Sequence, residues 1–292
     1  MSMVGAVDAV VSYRRTRRRN TLLLGLFLIY TFVPLFYLVV ASTKSNLDLF
    51  STFGLWFASD FNLGNNLRDV FTFTNGVFGR WLLNTFLYAT ASALGAAFVA
   101  TAAGYAFAKF HFRGRNMLFA AILGAIMIPQ TALVVPIYLL LARAGLIDNP
   151  LGVILPTMVS PIGVYLMRVY IEQGVDDALL DAARIDGAGE FRIFRSIVFR
   201  LVTPAFVTVL LLAFVAAWNN YFLPLIVLST PEYYPLTVGL SSWYQLASAG
   251  GGGQALFSIV LAGALVSIVP VIIVFLMLQR YWQGGLALGA VK

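Results

Sequence analysis

The stretch Glu172–Thr203 reads EQGVDDALLDAARIDGAGEFRIFRSIVFRLVT, and the fold is best worked out from it. It contains half of the chain's 12 acidic residues, and long apolar runs stand on both sides of it. Charged side chains are costly inside a bilayer. This stretch, called the charged segment below, is therefore predicted to lie outside the membrane between two membrane-spanning helices. Its acidic residues are Glu172, Asp176, Asp177, Asp181, Asp186 and Glu190.

The composition of the 292-residue chain is that of a membrane protein. Hydrophobic residues make up 60% of it and charged residues only 11%, whereas about a quarter of the residues of a soluble domain are charged. The chain has no cysteine, which excludes disulfides, a thiolate nucleophile and cysteine-ligated metals. Its one histidine, His111, excludes a multi-histidine metal site. Neither a metal site nor a catalytic residue is expected.

Six apolar runs are long enough to cross a bilayer, which takes about 20 helical residues. The fold class predicted is therefore all-α: a polytopic integral membrane protein with six transmembrane helices. Prolines lie inside most of the runs, and membrane helices tolerate them as kinks. The first run is longer than the core of a signal peptide, so we expect it to remain as a span. The runs are approximately Thr21–Ala41, Trp81–Ala108, Met117–Ala142, Leu151–Tyr170, Pro204–Leu228 and Ala255–Leu278.

The distribution of lysine and arginine predicts the orientation. If the N-terminus is cytoplasmic, 15 of the 19 basic residues fall in cytoplasmic segments, as the positive-inside rule requires. Both termini and the charged segment are then cytoplasmic. Anionic headgroups of the inner leaflet are sufficient to account for the net charge of +7. The bilayer is thus an expected partner, and nucleic acid is not.

The charged segment itself has the pattern of two short amphipathic helices that meet at Gly187. Asp176 and Asp177 mark the start of the first helix, where acidic side chains favour the helix dipole. Glycine allows the bend between the two. The apolar stripe either rests on the membrane surface or lies in a groove of a cytoplasmic partner. In the second helix, Glu190–Phe199, the predicted apolar side consists of Phe191, Phe194, Ile197 and Val198.

Two outside loops are predicted, at residues 42–80 and 229–254. The first has eight scattered aromatic side chains, and an anchoring belt at the headgroups and a docking surface for an external partner are equally compatible with them. The tip of the second is a run of four glycines, typical of a flexible linker. Polar residues within the spans, Asn84 and Asn219–Asn220, either bridge helices or hydrogen-bond a sugar, and bridging is favoured.

Four stretches carry a family resemblance. Asp181–Ala188 (DAARIDGA), followed by Phe191, Phe194 and Pro204, resembles the EAA motif of binding-protein-dependent ABC importer permeases, specifically the MalG-like carbohydrate subfamily, with Asp181 in the place of the usual glutamate. The other three stretches follow in the family's order along a six-span layout. They are Trp218–Leu225 (WNNYFLPL), Tyr234–Leu240 (YPLTVGL) and the C-terminal stretch from Gln279 to Lys292.

The resemblance implies a permease subunit with the type I ABC importer fold in a bacterial or archaeal cytoplasmic membrane. It implies four partners besides sugar: a second, MalF-like permease, two copies of a cytoplasmic ABC ATPase and an extracytoplasmic solute-binding protein. No G-x-x-x-x-G-K-[ST] motif occurs, so ATP and magnesium are expected on the ATPases and no cofactor on this chain. By resemblance, the ATPase-coupling residues are Asp181, Ala182, Ala183, Asp186, Gly187, Phe191 and Phe194.

The same resemblance implies roles for other segments. The tail, residues 281–292, would insert between the ATPase subunits after Gln283–Gly285 breaks the last helix. The glycine-rich tip would enter the cleft of the binding protein. The residues concerned are Asn84, Trp218, Asn219, Asn220 and Tyr221 in the translocation path, and Gly250, Gly251, Gly252, Gly253 and Gln254 in the binding-protein loop.

The sequence therefore predicts the permease of an ATP-driven oligosaccharide or disaccharide importer. A permease of the same class for a glycerol-phosphate derivative is the alternative. A stand-alone secondary carrier would need an internal repeat and ionisable residues in the membrane, and neither is evident. A membrane enzyme would need HExxH, GxSxG or a cysteine, and the sequence has none. The predicted organisation is 1–20 N-terminus, 21–41 first span, 42–80 outside loop, 81–280 permease core and 281–292 tail.

Overall fold

A computed structural model describes residues 3–249 and 256–286, with side chains at 17, 19–249 and 256–279. The predicted binding-protein residues Gly250–Gln254 and the tail beyond Leu286 lie outside the described residues. All regular structure in the described ranges is helical, which confirms the all-α class. The chain divides at Val70–Phe71, Gln245–Leu246 and Leu265–Val266 into two compact units.

The helices are numbered α1 to α14 along the chain. A π-helical turn, Phe194–Val198, lies between α9 and α10, and a 3₁₀ turn, Pro231–Tyr233, lies between α12 and α13. The helices are α1 Met3–Ser42, α2 Asn46–Ser51, α3 Leu63–Lys109, α4 Arg115–Ile126, α5 Gln130–Arg143, α6 Pro150–Thr157, α7 Pro161–Gly174, α8 Asp177–Ile185, α9 Glu190–Ile193, α10 Phe199–Leu201, α11 Thr203–Trp218, α12 Phe222–Val227, α13 Leu236–Ser248 and α14 Leu256–Leu286.

In the described residues four stretches are long and apolar enough to span a membrane: Arg19–Ser42, Leu63–Lys109, Pro150–Gly174 and Leu256–Gln279. Two further helix pairs meet that test together but are sharply bent. They are α4 with α5, and the stretch Glu190–Leu201 with α11. The count reaches the predicted six only if each bent pair is one span.

The predicted span Met117–Ala142 is not a single kinked helix. It is broken between α4 and α5, whose axes differ by 110°. Pro129 stands immediately before α5 with an extended ψ of 127°, and the residue preceding a proline is itself disfavoured in the helical region. The expectation of one kinked helix was wrong here, because one helix ends before the proline and another begins after it.

Both predicted outside loops contain helix. In the first, α3 already begins at Leu63, and its path is interrupted by non-helical residues from Phe73 to Gly76. Phe78, which was expected in an aromatic belt or docking surface, is fully buried. In the second, the 13 residues of α13 make up half of the segment 229–254. Both outside segments are therefore partly helical, and aromatic side chains of the first, such as Phe50 and Trp56, remain exposed as expected.

The first unit has its own polar anchor. Lys44, only 1% exposed, donates from Nζ to the Thr52 hydroxyl at 2.9 Å and to the Phe53 carbonyl at 2.7 Å. Asn66 donates to the carbonyls of Ser42 and Lys44 at 2.8 and 2.9 Å. A buried lysine satisfied in this way fixes the turn that follows α1.

The core of the second unit lies where α3, α7 and α11 meet the charged segment. Its buried side chains include Met167 and Ile171 of α7 together with Leu180, Ile193 and Val198 of the charged segment. α3 approaches α7 so closely that a Cβ added at Gly104 would lie 2.7 Å from the Cβ of Met167. Small residues permit such close helix packing in membranes.

The end of α14 differs from expectation. The glycines at 284 and 285 were predicted to break the last helix, but α14 continues through them to Leu286. The predicted border at residue 280 is therefore not a helix end. Each glycine in a helix costs only about 1 kcal/mol relative to alanine. The combined cost of two adjacent glycines is too small to force the helix to end.

Candidate functional site

The first half of the charged segment begins as predicted. Asp176 caps α8, with its carboxylate accepting from the Ala178 amide at 3.0 Å. Asp177 follows in the first turn, where the helix dipole favours a negative charge. The acidic pair therefore explains why a helix starts immediately after Val175.

Gly187 ends α8 and provides the predicted hinge. Its φ is +78°, in the left-handed region that glycine adopts without a steric cost. The Gly187 amide donates to the Arg184 carbonyl, and the Ala188 amide donates to the Ala183 carbonyl, both at 3.0 Å. This pair of hydrogen bonds is the Schellman motif. The predicted hinge is confirmed, since the glycine does not lie within a continuous helix.

The second half of the charged segment differs from its predicted pattern. Ile193 and Val198 are fully buried, whereas Phe191, predicted on the apolar side, is 74% exposed. The two buried positions are five apart along the chain, and the π-helical turn Phe194–Val198 follows Ile193 and ends at Val198. A π turn places residues five apart on one side. The α-helical period therefore gave the wrong face for Phe191.

Lys109, the last residue of α3, ties the charged segment to that helix. Its side chain is only 6% exposed, and Nζ donates to the Val175 carbonyl at 2.7 Å and to the Asp177 carboxylate at 2.6 Å. The hydrogen bond and charge of Lys109 hold the pKa of the Asp177 carboxyl below its usual value. A single ammonium thus joins the end of α7, the start of α8 and the end of α3.

Arg184 forms the centre of a second set of polar contacts. Its guanidinium donates from Nε to Glu190 at 2.8 Å and from Nη1 to Asp181 at 2.7 Å. These bonds, first that to Glu190, raise the pKa of Arg184. Glu190 also accepts from the Tyr105 hydroxyl of α3 at 3.0 Å. The network therefore joins both halves of the charged segment to α3 across the Gly187 bend.

Sequence reasoning missed Tyr105, Lys109, Arg184 and Glu190 as members of the site. Tyr105 and Lys109 are four residues apart, and so share one face of α3. Arg184 follows Asp181 by three residues, which also allows an ion pair on one helix face. These spacings can be read from the sequence. The contacts of Tyr105 and Lys109 with the charged segment cannot, because their partners are distant in the chain.

An exposed tip remains at the bend of the charged segment. Ile185 is 86% exposed, and Phe191 stands on the other side of Gly187. Among the other predicted coupling residues, Asp181, Ala182 and Asp186 are exposed, while Ala183 and Phe194 are partly buried against the core. All seven predicted coupling residues lie between Asp181 and Phe194. The two large apolar side chains exposed there are Ile185 and Phe191.

The predicted translocation residues lie elsewhere in the second unit. Asn84 donates to the carbonyls of Glu232 and Tyr234 at 2.8 and 3.1 Å, so its amide bridges protein segments. Asn219 donates to the Val215 carbonyl at 2.8 Å, inside its own helix end. The contacts of Asn84 agree with the bridging interpretation, whereas that of Asn219 stays within its own helix and supports neither bridging nor sugar contact.

Trp218, Asn220 and Tyr221 surround the break between α11 and α12. Trp218 is buried beside Phe214, with ring centroids 5.6 Å apart. The Asn220 carbonyl accepts from Thr237 at 2.7 Å, and the Tyr221 hydroxyl lies 3.0 Å from that of Ser241. The break is therefore held by side chains of α13.

The first turns of α3 after its interruption at Phe73–Gly76 are joined to the segment after α12 by neutral groups. Trp81, 2% exposed, donates from its indole to the Pro231 carbonyl at 2.8 Å, and Tyr88 donates to the Tyr233 carbonyl at 3.0 Å. Nearby, the Asp148 carboxylate accepts from the amides of Ser229 and Thr230, each at 2.9 Å. These bonds, first the hydroxyl bond of Thr230, lower the pKa of Asp148.

The described part of the chain has no group of three or more His, Cys, Asp or Glu side chains that could hold a metal ion. What it has is a set of apolar helices of membrane length with a charged, hinged segment fixed to the end of one of them. This is the construction of a multi-pass membrane transport component. Residues 95–283 match the family described as binding-protein-dependent transport system inner membrane component, and the chain belongs to that family.

Relatives and a solved structure agree with this membership. The chain is 36% identical over 268 residues to an arabinooligosaccharides transport system permease protein of Bacillus subtilis, covering 91% of this chain and 92% of the relative. It is 31% identical over 257 residues to an sn-glycerol-3-phosphate transport system permease protein of Pectobacterium atrosepticum, covering 87% and 89%.

The solved structure belongs to a bacterial ABC transporter involved in the import of the acidic polysaccharide alginate. It superposes with a TM-score of 0.77 at 25% identity, covering 97% of this chain and 99% of that chain. The predicted family and the all-α permease fold are confirmed: this is a multi-pass permease component of the cell membrane, and its family is a transport family.

Proposed function

We propose that this chain is one of two permease subunits of an ATP-driven importer for oligosaccharides. It would form half of the translocation pathway, beside a second permease, and receive substrate from an extracytoplasmic solute-binding protein. The permeases for arabinooligosaccharides and for melibiose, raffinose and stachyose, the latter 28% identical over 281 residues, support an oligosaccharide. ATP hydrolysis belongs to two copies of a cytoplasmic ATPase.

The observation that carries this proposal is the exposed tip of the charged segment. Ile185 and Phe191 would be stranded in water if nothing covered them, and exposed apolar residues bordered by charges are typical of protein interaction sites. The same segment is fixed to α3 through Lys109 and through the Tyr105 contact with Glu190. A force applied by an ATPase at the tip would therefore reach a helix that crosses the membrane.

In this mechanism the segment moves as a lever with its bend at Gly187. ATP-driven closure of the two ATPases would displace the tip, and the contacts of Lys109 and Arg184 would carry the displacement into α3 and α7. Alternation between inward-open and outward-open states would then follow from tilting of these helices. No part of the chain needs to bind nucleotide for this to work.

The first test is co-purification with the cytoplasmic ABC ATPase proposed as its partner. The variant Ile185→Asp with Phe191→Asp should lose most of the bound ATPase, because two charges would be buried in an apolar contact. Ser196→Asp is the matched control, since Ser196 is also exposed on the charged segment. Retention of the ATPase by the double variant, at normal membrane insertion, would contradict the assignment of the tip.

The second test separates the substrate from the mechanism. The reconstituted transporter with its binding protein should take up a labelled arabino-oligosaccharide or raffinose-type sugar in an ATP-dependent way. The glycerol-phosphate relative makes sn-glycerol-3-phosphate the second candidate. ATP-dependent uptake of that ester alone would replace the sugar assignment and leave the permease assignment intact.

A further inference from the structure

We propose that the second unit has a binding site for an anionic phospholipid of the cytoplasmic leaflet. The site combines an apolar groove, which would take an acyl chain, with the guanidinium groups of Arg115 and Arg168, which would hold the phosphate. It lies apart from the exposed tip of the charged segment and has no part in the proposed ATPase contact.

The groove runs between α3, α4 and the start of α7. Its walls are almost entirely carbon, and the one hydroxyl among them, that of Ser160, already accepts from the Gly163 amide at 3.1 Å. A sugar needs several hydrogen-bonding groups in its site, so this groove is suited to a hydrocarbon chain instead. Its lining includes Phe107, Leu118, Ile122, Ala125, Val159 and Val164.

The two arginines stand at the same end of this groove. On α4, Arg115 is three residues before Leu118 and seven before Ile122, which places all three on one helix face. On α7, Arg168 follows the lining residue Val164 by four residues. Both helix faces therefore lead from carbon to guanidinium in the same direction, as a phospholipid leads from acyl chain to phosphate.

The guanidinium groups are short of partners. Among the described residues, Glu172 is the one carboxylate within 4 Å of them, and its Oε1 lies 3.9 Å from Arg115 Nη2 and 3.7 Å from Arg168 Nη2. Charge-assisted hydrogen bonds are about 2.7–2.9 Å long. The Nε atoms of both arginines are buried without a hydrogen-bond partner in the described part of the protein. One partly exposed carboxylate thus faces two cations, at distances too long for charge-assisted hydrogen bonds.

The orientation of Arg168 is fixed independently of Glu172. Its guanidinium carbon lies 4.0 Å from the centre of the Phe119 ring, a cation–π contact. Phe119 in turn packs on Phe107, with centroids 5.5 Å apart. The cation is therefore held in place before any anion arrives, which reduces the entropy lost on binding.

The charge and the position together point to a lipid rather than a free anion. The positive-inside distribution places the start of α4 and the end of α7 at the cytoplasmic leaflet, where anionic lipids concentrate. A free phosphate would use the arginines but leave the groove empty. A lipid with a negatively charged headgroup satisfies both parts of the site at once.

The test uses the full-length protein with the subunits that remain bound to it in mild detergent. Native mass spectrometry would measure binding of phosphatidylglycerol and of phosphatidylcholine with the same acyl chains. We expect phosphatidylglycerol to bind more tightly, and each of Arg115→Gln and Arg168→Gln to weaken it about fivefold, the scale of one basic residue near an anionic surface. Arg113→Gln, at an exposed arginine of the same region, should leave binding unchanged.

A second variant tests the groove. Ala125→Phe should fill it and weaken both phospholipids together, while leaving the binding of inorganic phosphate unchanged. The proposal is overturned if inorganic phosphate displaces the lipid as readily as soluble phosphatidylglycerol does, or if the double arginine variant keeps the preference. It is also overturned if a photo-crosslinker at Leu118 reaches another protein subunit, since a partner helix would then occupy the groove.

Discussion

The uninterrupted part of α3, residues 77–109, is fixed to the rest of the second unit by different chemistry near its start and at its end. At its end, Lys109 and Tyr105 contact the charged segment, and the bonds involve an ammonium, a guanidinium and three carboxylates. Near its start, Trp81, Asn84 and Tyr88 donate to main-chain carbonyls between Pro231 and Tyr234, with no net charge on either partner. One helix therefore has an ionic junction and a neutral junction.

The difference has a physical meaning for a transporter. Neutral hydrogen bonds from buried aromatic and amide groups to backbone are geometrically specific and insensitive to salt. The carboxylates of the ionic junction are partly or largely exposed, and ion pairs of exposed groups are weak and can exchange partners with small changes in position. The neutral junction is suited to remain fixed, and the ionic junction is suited to transmit a movement by changing partners.

The largest effect is expected from breaking the neutral junction. Trp81→Ala would remove a buried indole that lies 4.8 Å from the Trp243 ring and against Gly239. Truncation of such a side chain costs about 3–5 kcal/mol. Thermal unfolding in detergent should show a clear fall in melting temperature. Phe86→Ala, on an exposed face of the same helix, should change it far less; equal falls would mean that the junction has no special role.

A smaller but functionally sharper effect is expected at Lys109. Lys109→Met keeps the stem and removes the ammonium, which leaves the Val175 carbonyl without its donor. A hydrogen bond to a charged group contributes about 1.5–3 kcal/mol. We expect ATP hydrolysis by the bound ATPase to continue while substrate-dependent stimulation is lost. Arg113→Met is the control, and full stimulation in the Lys109 variant would show that force does not pass through this contact.

The hinge between the two halves of the charged segment gives the next effect. Gly187→Val would place a branched side chain at a φ of +78°, at a cost of about 1–2 kcal/mol. Gly189→Val is a matched control two residues away, because Gly189 is extended at φ −72°. Protease cleavage within Glu172–Thr203 should rise in the first variant and not in the second. Equal protection of both variants would show that the bend does not depend on the positive φ of Gly187.

The smallest effects are those of salt and acid. The folded pKa of Asp177 is depressed, chiefly by its hydrogen bond to Lys109. The stability that the ionised Asp177 contributes is therefore present above the unfolded pKa of about 3.9, and it is lost as the pH falls toward the folded pKa. Between pH 5 and 8, amide exchange at the start of α8 should not change on this account. Below about pH 4 these amides should lose protection relative to the exchange of an unfolded chain at the same pH, and Asp177→Asn should remove this pH dependence of the protection.

Salt should separate the two junctions directly. The Asp181–Arg184 pair is exposed, so about 1 M salt, where the screening length is about 3 Å, should weaken it. The hydrogen bonds of Trp81 and Asn84 involve no charged group. The backbone amides around these two residues should therefore keep their protection from hydrogen exchange at high salt. Equal loosening at both junctions would show that the distinction between them is not electrostatic.

The sequence allowed the charged segment to be located because its pattern is local. The caps at Asp176 and Gly187 depend on residues within a few positions, and both predictions held. Phe191 was placed on the wrong face because the π turn depends on what Ile193 and Val198 pack against. The break at Pro129 and the burial of Phe78 likewise depend on distant contacts. Lys109 was visible as a basic residue, but its acceptors, the Val175 carbonyl and Asp177, lie more than 60 residues away.

The π turn also makes the direction of the exposed tip depend on the number of residues in the charged segment. Each residue of an α-helix turns the chain by about 100° and advances it 1.5 Å, so a one-residue deletion within Phe194–Val198 would relax the turn to α-helix and rotate the exposed tip by that angle relative to α11. Substitutions at solvent-facing positions such as Ser196 would leave the rotation unchanged. We therefore expect a one-residue deletion in the turn to disturb the position of the tip more than a substitution at Ser196, while Phe194 and Val198 are held by the core.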